Sequence, residues 1–231
     1  MRTSLKTITL KLIIIAVVFS LFQNKIAAQV INWENVSEQN KHLLHANAGA
    51  EYGVTAGLGY HRLIPVKRIP LWIGGEFSIP AGNELADDFK FRLGAQIRFA
   101  AFNHFQFSAR VQGISRRYHN QSVRLFNFGS DFAGTLGYYH KHWFLGTEVG
   151  FDKAIVTNFK HSEWYKKNIY DNVQDGWYEP ATGGNFYYGL QGGYSIKKVD
   201  VTLKAGKVLQ QDFESQPLLP FYGQLGVNFR F

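Results

Sequence analysis

Apolar and polar residues alternate with a period of two along most of the chain, most clearly in DFKFRLGAQIRFA, residues 88–100. Odd positions from Phe89 to Phe99 are all apolar, whereas the even positions between them are Lys, Arg, Gly or Gln. The next segment, HFQFSARVQG at 104–113, repeats the pattern. Because successive side chains of a β-strand point to opposite faces, these segments predict strands with one apolar and one polar face.

Six further segments carry the same alternation: 71–78, 126–138, 143–152, 186–196, 199–205 and 221–231. Residues 42–63 keep one parity over about twice the 9–11 residues that a membrane strand needs. A three-residue turn preserves parity, so we predict a hairpin turning at Glu51, Tyr52 and Gly53; one very long strand is the alternative. The chain then has ten antiparallel strands, or eight if 42–63 is one strand and another segment is miscounted.

The predicted connections alternate in length, apart from the tight first turn. Those at 64–70, 101–103, 139–142 and 197–198 are short, and those at 79–87, 114–122, 157–183 and 210–220 are longer. Short turns on one side and longer loops on the other, with an even number of strands, are typical of bacterial outer-membrane barrels.

The polar faces of the predicted strands carry charges of both signs, whereas the opposite faces are large, aromatic and almost free of charge. A soluble lipocalin-like barrel would bury the apolar face, but charges interspersed with glycine suit the interior of a membrane barrel. We interpret the charges as an ion-pair network filling a narrow lumen; a selective channel is the alternative. The predicted lumen residues are Glu76, Lys90, Arg92, Arg98, Arg110, Asp131, Glu148, Asp152, Asp200, Lys204 and Arg230.

The N-terminus has the composition of a secretory signal peptide. A basic start precedes the apolar run LIIIAVVFSLF at 12–22, and small residues end at Ala28. The run is too short for a membrane anchor, so we expect cleavage after residue 28. The domains are then 1–28, the signal peptide; 29–41, a periplasmic N-terminal segment; and 42–231, the barrel. Loss of the four basic residues in 1–28 lowers the formal net charge from +8 to +4, which gives no reason to expect nucleic acid as a partner.

The closing strand, FYGQLGVNFRF, ends on Phe231, with Leu225, Val227 and Phe229 on the same face. With the signal peptide and the alternating strands, it resembles small Gram-negative outer-membrane β-barrel proteins over residues 42–231. The resemblance implies location in the outer membrane, insertion by the outer-membrane assembly machinery through the C-terminal signal, and contact with outer-membrane lipid and lipopolysaccharide. It implies no activity, because this architecture hosts pores, adhesins, enzymes and scaffolds.

The longest predicted loop, 158–183, is rich in aromatic residues. Ser162 could cap a short helix reaching about Val173. Loops of this length are usually functional or carry structure of their own. The candidates for binding a protein, a glycan or lipopolysaccharide are Trp164, Tyr165, Tyr170, Trp177 and Tyr178.

Catalytic signals are weak. The adjacent acids Asp87 and Asp88 could mimic half of a barrel protease site, and His119 with Ser122, or His161 with Ser162, could mimic a lipid A deacylase. Serine and histidine are common in loops, so we expect no catalytic residue, metal or cofactor. We predict that the protein is a structural or binding component of the cell envelope and acts through its extracellular loops. One form of this prediction places it within an envelope protein complex. The alternatives are a narrow pore for small polar solutes and an outer-leaflet lipid-modifying enzyme.

Overall fold

The computed structural model describes residues 30–51, 53–66, 69–81, 87–180, 183–215, 217 and 219–231. The predicted signal peptide and the turn residue Tyr52 lie outside them. The strands are β1 (His42–Ala50), β2 (Val54–Val66), β3 (Ile69–Pro80), β4 (Phe89–Phe102), β5 (Phe105–His119), β6 (Val123–Tyr139), β7 (Trp143–His161), β8 (Gly176–Tyr178), β9 (Gly184–Ile196), β10 (Val199–Gln210) and β11 (Phe221–Arg230). One α-helix, α1 (Glu163–Asn168), and a 3-10 turn, Trp33–Asn35, complete the regular structure of these ranges. No helix among the described residues is long and apolar enough to span a membrane.

Ten strands, β1–β7 and β9–β11, close into one antiparallel barrel in which every strand pairs with the next along the chain. Pairs from Leu43↔Arg230 to Ala50↔Gly223 join β1 to β11 and complete the ring. Closure pairs the strand edges that hydrocarbon would otherwise leave unsatisfied. The predicted ten strands are therefore confirmed, and the eight-strand alternative is wrong because a turn separates β1 from β2.

The apolar faces of the strands point outward, and the polar faces point into the barrel. In β7, Val149 is 61% exposed while the neighbouring Glu148 is 2% exposed. The same inversion holds across the barrel, where Leu93 and Leu203 are exposed and Lys90 is buried. An outward apolar band around a polar interior is the arrangement of a transmembrane β-barrel, and it confirms the predicted fold class.

The two ends of the barrel differ. We call the end that carries residues 162–180 the loop end, and the end that carries residues 140–142 the turn end. At the loop end β8 pairs with Thr157–Phe159 of β7, so this part of the long loop adds a short strand beside the wall.

The connection between β5 and β6 is shorter than the sequence predicted. A long loop was predicted over 114–122, but β5 continues to His119 and only residues 120–122 turn. The Asn120 side chain accepts hydrogen bonds from the backbone N–H groups of Ser122 and Val123, both at 2.9 Å. Side chains of asparagine stabilise tight turns in this way, so the hairpin extends beyond the segment that the alternation suggested.

A small apolar core lies inside the barrel at the turn end. The N-terminal segment inserts Val30, Ile31 and Trp33 into the lumen, and the 3-10 turn begins at the cap residue Asn32. Among the described residues, this buried cluster comprises Val30, Ile31, Trp33, Leu43, Leu63, Trp72, Tyr139 and Phe144. The N-terminal segment thus lies within the barrel and fills its turn end.

Candidate functional site: the barrel lumen

One ion-paired group lies on the β1–β4 side of the lumen. Arg92 Nη1 donates a 2.8 Å hydrogen bond to Glu76 Oε1, and His45 Nε2 lies 2.8 Å from the other oxygen of Glu76. Glu51 accepts from Lys90 Nζ at 2.6 Å and also from the Arg92 guanidinium. Arg92 therefore bridges two carboxylates, one on strand β3 and one in the turn between β1 and β2.

A second group lies across the lumen on β5, β6, β7, β9 and β10. Arg110 donates to Asp131 and to Glu148, each at 3.2 Å, and to the Tyr187 hydroxyl at 3.0 Å. Tyr187 in turn donates to Asp131 at 2.6 Å, and Lys204 contacts Glu148. Gly150 makes room for this arrangement, because a Cβ there would lie 2.2 Å from the Tyr187 ring.

The two groups together balance positive and negative charge. Four cations, Lys90, Arg92, Arg110 and Lys204, contact four carboxylates, Glu51, Glu76, Asp131 and Glu148. Buried charges are tolerated when they are paired and hydrogen-bonded, and they are costly when one partner is missing. We call these eight side chains the central network.

Three of the predicted lumen residues lie at the turn end instead. Arg230 binds Asp200 through two nitrogens, at 2.8 and 3.2 Å, and donates to the backbone carbonyl of Asn35. Arg98 donates to the Trp33 carbonyl at 3.3 Å and to Gln106 Oε1 at 3.1 Å. These residues hold the inserted N-terminal segment and take no part in the central network.

Asp152 differs from the other predicted lumen acids. Among the described residues its hydrogen-bond partner is Asn185, whose Nδ2 donates to Oδ1 at 2.9 Å. The structure therefore divides the predicted lumen residues among the central network, the turn end and this carboxylate near the cavity described next.

Glu51, His45 and Tyr187 are not among the lumen residues that the sequence predicted. Tyr187 lies at a position of β9 that faces the lumen, so the alternation along this strand could have identified it. Glu51 lies in the turn between β1 and β2, where strand parity does not apply, so no sequence signal pointed to it.

An internal cavity of about 710 Å³ lies between the central network and the loop end. Its floor includes charged side chains of the network together with Gln224 and Tyr222. Its rim combines the apolar side chains of Ile114, Leu125, Phe159, Val208, Pro217 and Leu219 with polar and charged ones, among them Asp88, Arg116, Asn127, Lys153 and Thr157. The cavity is large enough for a small organic molecule, since ligand pockets span roughly 300–1,000 Å³.

The long loop forms the helix that the sequence predicted, but a shorter one. The Ser162 hydroxyl accepts from the Tyr165 backbone N–H at 3.0 Å, as expected for a helix cap. The helix ends at Asn168 rather than near Val173, and the Asn168 side chain bonds back to the Trp164 carbonyl.

Asp175 organises the loop beyond the helix. It accepts from the His161 backbone N–H at 2.8 Å, from Lys166 Nζ at 2.9 Å and from the His161 ring at 2.9 Å. These hydrogen bonds, led by the backbone N–H, hold the pKa of Asp175 well below its ordinary value. The loop is thus tied by a charged cross-link to the end of β7.

The five predicted binding aromatics lie on α1, β8 and the segment between them. Trp177 stacks on Phe128 of the outer wall, with ring centroids 6.1 Å apart. Tyr165 packs on His161, and Tyr178 packs edge-on against Phe159. Trp164 and Tyr170, together with Trp177 and Tyr178, are exposed.

The weak catalytic signals fall at the same end. Asp87 Oδ1 lies 3.3 Å from His119 Nδ1, and Asp88 binds Arg116 through both oxygens. The Ser162 hydroxyl is engaged as the helix cap, and His161 is engaged by Asp175. The paired acids therefore each face a basic side chain.

Fold and lumen define this protein as a ten-stranded transmembrane β-barrel with an ion-paired interior. No protein-family model and no curated protein matches the chain. Among solved structures it is similar to KdgM porin in complex with disordered oligogalacturonate (TM-score 0.42) and to a second structure of KdgM porin (TM-score 0.39). Each comparison has 10% sequence identity and covers 82% of this chain and 99% of that chain. A mutant of Rh. blastica porin follows at TM-score 0.18 and 7% identity, covering 82% of this chain and 98% of that chain. These likenesses are distant.

Proposed function

We propose that this protein is a bacterial outer-membrane barrel whose lumen is closed to diffusion, and that it serves the cell envelope as a structural or binding component through its loop end. The observation that carries the proposal is the occupation of the turn end by the N-terminal segment. Trp33 within that segment is 1% exposed.

Hydrogen bonds from several strands hold the segment in place. Asn228 Nδ2 donates to the Val30 carbonyl at 2.7 Å. Asn32 Nδ2 donates to Ser195 Oγ at 2.8 Å and to the His140 carbonyl at 3.0 Å. Because these contacts come from β9, from β11 and from the β6–β7 turn, displacing the segment would break contacts around much of the barrel wall.

The central network provides a second barrier to diffusion through the lumen. Its side chains reach past neighbouring strands into the lumen, as in the contact between Arg110 of β5 and Glu148 of β7, which lie on either side of β6. Small barrels are generally filled by their own side chains rather than open to water. A solute crossing the barrel would have to separate these pairs and then displace the segment.

Orientation follows the usual rule for bacterial barrels, in which short turns face the periplasm and longer loops face outward. On this proposal residues 30–41 lie at the periplasmic side, and α1 and β8 project from the cell. The outer wall contacts outer-membrane lipid, the loop end meets lipopolysaccharide, and Phe231 completes the signal read by the assembly machinery.

Single-channel recording in planar bilayers tests the closed lumen. We expect the mature chain to show no stable conductance, and deletion of residues 30–36 to raise the frequency of open events. Replacing the exposed residues Glu38 and Gln39 by glycine is the matched control and should change nothing. A stable conductance of the intact chain that changes in Arg92→Ala or Arg110→Ala would overturn the proposal.

Affinity purification tests the binding role of the loop end. If an envelope partner binds there, deletion of residues 162–178 should release it, while the barrel should still fold. Phe213→Ser, which alters an exposed aromatic residue in another loop, is the control and should retain the partner. Retention of all co-purifying proteins after the deletion would argue against this role of the long loop.

A narrow pore is the second candidate function. The cavity of about 710 Å³ supports it, since the loop-end side of the lumen already has space for a solute. Conduction would then require the N-terminal segment to leave the turn end. The bilayer experiment separates this candidate from the first, because a gated pore would open spontaneously in the intact chain.

A lipid-modifying enzyme is the third candidate and rests on the contact of His119 with Asp87 at the loop end. A carboxylate beside a histidine can orient it as a base, but a nucleophile must also lie within reach. Mass spectrometry of lipid A after expression tests it. A modified lipid A that disappears in His119→Ala would support an enzyme, and an unchanged mass would exclude this reaction.

A further inference from the structure

The cavity of the loop end has two chemically different zones. Its floor is formed by the central network with Gln224 and Tyr222, and its rim presents the apolar side chains of Leu125, Phe159 and Val208 among charged ones such as Asp88, Arg116 and Lys153. The rim residues occupy inward positions at the strand ends, where the rest of the lumen is mostly polar. A ligand that matches both zones therefore needs a polar part and an apolar part.

The spare hydrogen-bonding capacity of the floor consists mainly of acceptors. Gln224 is 3% exposed, and its Oε1 has no hydrogen-bond partner among the described residues. Glu51 Oε2 has none either, although the other oxygen of Glu51 is bound by Lys90 and Arg92. Buried acceptors are costly when they are unsatisfied, so these two atoms favour a ligand that donates hydrogen bonds.

The charges of the floor argue against an ionic ligand. Arg92, Arg110 and Lys204 are each engaged by at least one carboxylate of the central network. An anion would have to compete with these carboxylates, and a cation would be placed beside several buried cations. An uncharged ligand leaves every ion pair intact.

Aromatic and apolar groups complete the site. The Tyr222 hydroxyl is without a partner among the described residues, and its ring lies close to Lys204. At the rim, Phe159 and Val208 offer apolar surface that an aryl or alkyl group can cover. Burial of such a group adds affinity roughly in proportion to the apolar area that is removed from water.

We infer that this cavity is a binding site for an uncharged, hydroxyl-rich molecule that carries an apolar group, such as an aryl glycoside. Its hydroxyls donate to Gln224 Oε1 and Glu51 Oε2 at the floor, and its apolar group packs against Phe159 and Val208 at the rim. The inference does not depend on whether the turn end conducts, because the site lies on the loop-end side of the central network.

Equilibrium dialysis of the mature chain in lipid nanodiscs tests this inference, with empty nanodiscs as the blank. The probe is 4-methylumbelliferyl β-glucoside, read by its fluorescence. We expect saturable binding of the glucoside, and binding weaker by about tenfold or more for methyl glucoside, for free 4-methylumbelliferone and for 4-methylumbelliferyl sulfate. Methyl glucoside is not fluorescent, so its binding is measured by competition with the fluorescent glucoside. These three analogues lack the apolar group, lack the sugar, or carry a negative charge.

Paired variants locate the site. Gln224→Leu should weaken binding of the glucoside by about tenfold, which corresponds to the loss of one hydrogen bond. Glu51→Gln, which keeps an acceptor, is the second variant and should retain more binding than Glu51→Leu. Gln96→Leu is the matched control, because Gln96 is also buried in the lumen but does not line the cavity, and it should leave binding unchanged.

Three results would overturn the inference. The first is the absence of saturable binding of the glucoside up to about 10 mM. The second is tighter binding of the sulfate than of the glucoside, and the third is an equal loss of glucoside binding in Gln224→Leu and Gln96→Leu. Heat-modifiable mobility on gels confirms that each variant is folded before it is scored. Conductance recordings report on the turn end separately, so a failure here is distinguishable from a failure of the closed-lumen proposal.

Discussion

The Asn228 side chain donates a 2.7 Å hydrogen bond to the backbone carbonyl of Val30, which lies 198 residues earlier in the chain. Both residues are 1% exposed. Since β11 also pairs with β1, the last strand both closes the barrel and holds the segment that fills it. Closure of the wall and filling of the turn end are therefore coupled.

Trp33→Ala should destabilise the barrel substantially. The indole is buried among Leu43, Trp72 and other apolar side chains of the core, and removal of a buried tryptophan costs about 3–5 kcal/mol. Denaturant unfolding in detergent micelles measures the loss. Trp164→Ala in the exposed helix of the long loop is the control and should change the free energy of unfolding by no more than about 0.5 kcal/mol. Similar effects of the two variants would contradict burial of Trp33 in the lumen.

Glu148→Gln should destabilise the protein because Arg110 and Lys204 would both lose a buried counter-ion. Breaking a buried ion pair from one side costs about 3–5 kcal/mol. Addition of Lys204→Met should recover part of that loss, which a double-mutant cycle in denaturant reveals. The control is Glu163→Gln, whose side chain is exposed beside Lys166 and whose loss should be barely measurable. If the two substitutions at 148 and 204 are simply additive, their contact contributes nothing to stability.

Asp175→Asn should loosen the long loop. The pKa of Asp175 is depressed mainly by the His161 backbone N–H and then by Lys166. A depressed pKa means that the carboxylate stabilises the loop fully above its ordinary pKa, and that this stabilisation is lost only as the pH falls through the lower folded value. Trypsin cleavage after Lys166 or Lys167 should therefore be faster in the variant, by the same ratio at about pH 8 and about pH 6.

Asp171→Asn changes an exposed aspartate of the same loop and is the matched control for the cleavage experiment. It should leave the cleavage rate unchanged. The ratio to follow is the cleavage rate of Asp175→Asn divided by that of the unaltered chain. If this ratio falls toward one as the pH is lowered from about 8 to about 6, Asp175 becomes protonated in this range, which contradicts a depressed pKa.

Deletion of Phe231 should reduce assembly in cells more than it reduces stability. The residue exchanges two backbone hydrogen bonds of 2.9 Å with His42, and its ring stacks on the same residue. Loss of these contacts alone costs about 1–3 kcal/mol, so refolding into micelles should still succeed. In cells, we expect most of the folded form to disappear from the outer-membrane fraction, because on our proposal Phe231 belongs to the signal that the assembly machinery reads.

Phe221→Ala is the control for the assembly experiment, since Phe221 is an exposed aromatic residue at the other end of the same strand. It should assemble normally in cells. Equal losses of the deletion variant in cells and in micelles would mean that Phe231 acts through packing and not through recognition by the assembly machinery.

The faces of the strands were predictable because the alternation of side chains along a strand is a local property of the backbone. Parity alone placed Glu76, Arg92 and Asp131 inside the barrel, and it located the hairpin at Glu51–Gly53. Parity could not assign partners. The contact of Lys204 with Glu148 joins residues that are distant in the chain and lie on strands that are not neighbours in the barrel, so it depends on the register and tilt of several strands.

The alternation of side chains also could not define the connections between strands. A three-residue turn at Asn120 depends on one side chain satisfying two backbone N–H groups, whereas the strand pattern faded several residues earlier. Residues 30–36 show no alternation, and only the apolar lumen at the turn end decides where Trp33 lies.

The sequence by itself determined that this chain forms ten strands with an apolar exterior and a charged interior, because two-residue periodicity and turn chemistry act over short distances. Only the tertiary structure decided which charges meet, that the N-terminal segment fills the turn end, and that a cavity with unsatisfied acceptors remains at the loop end. These features arise across the diameter of a closed barrel, where residues far apart in the chain share one narrow space from which most water is excluded.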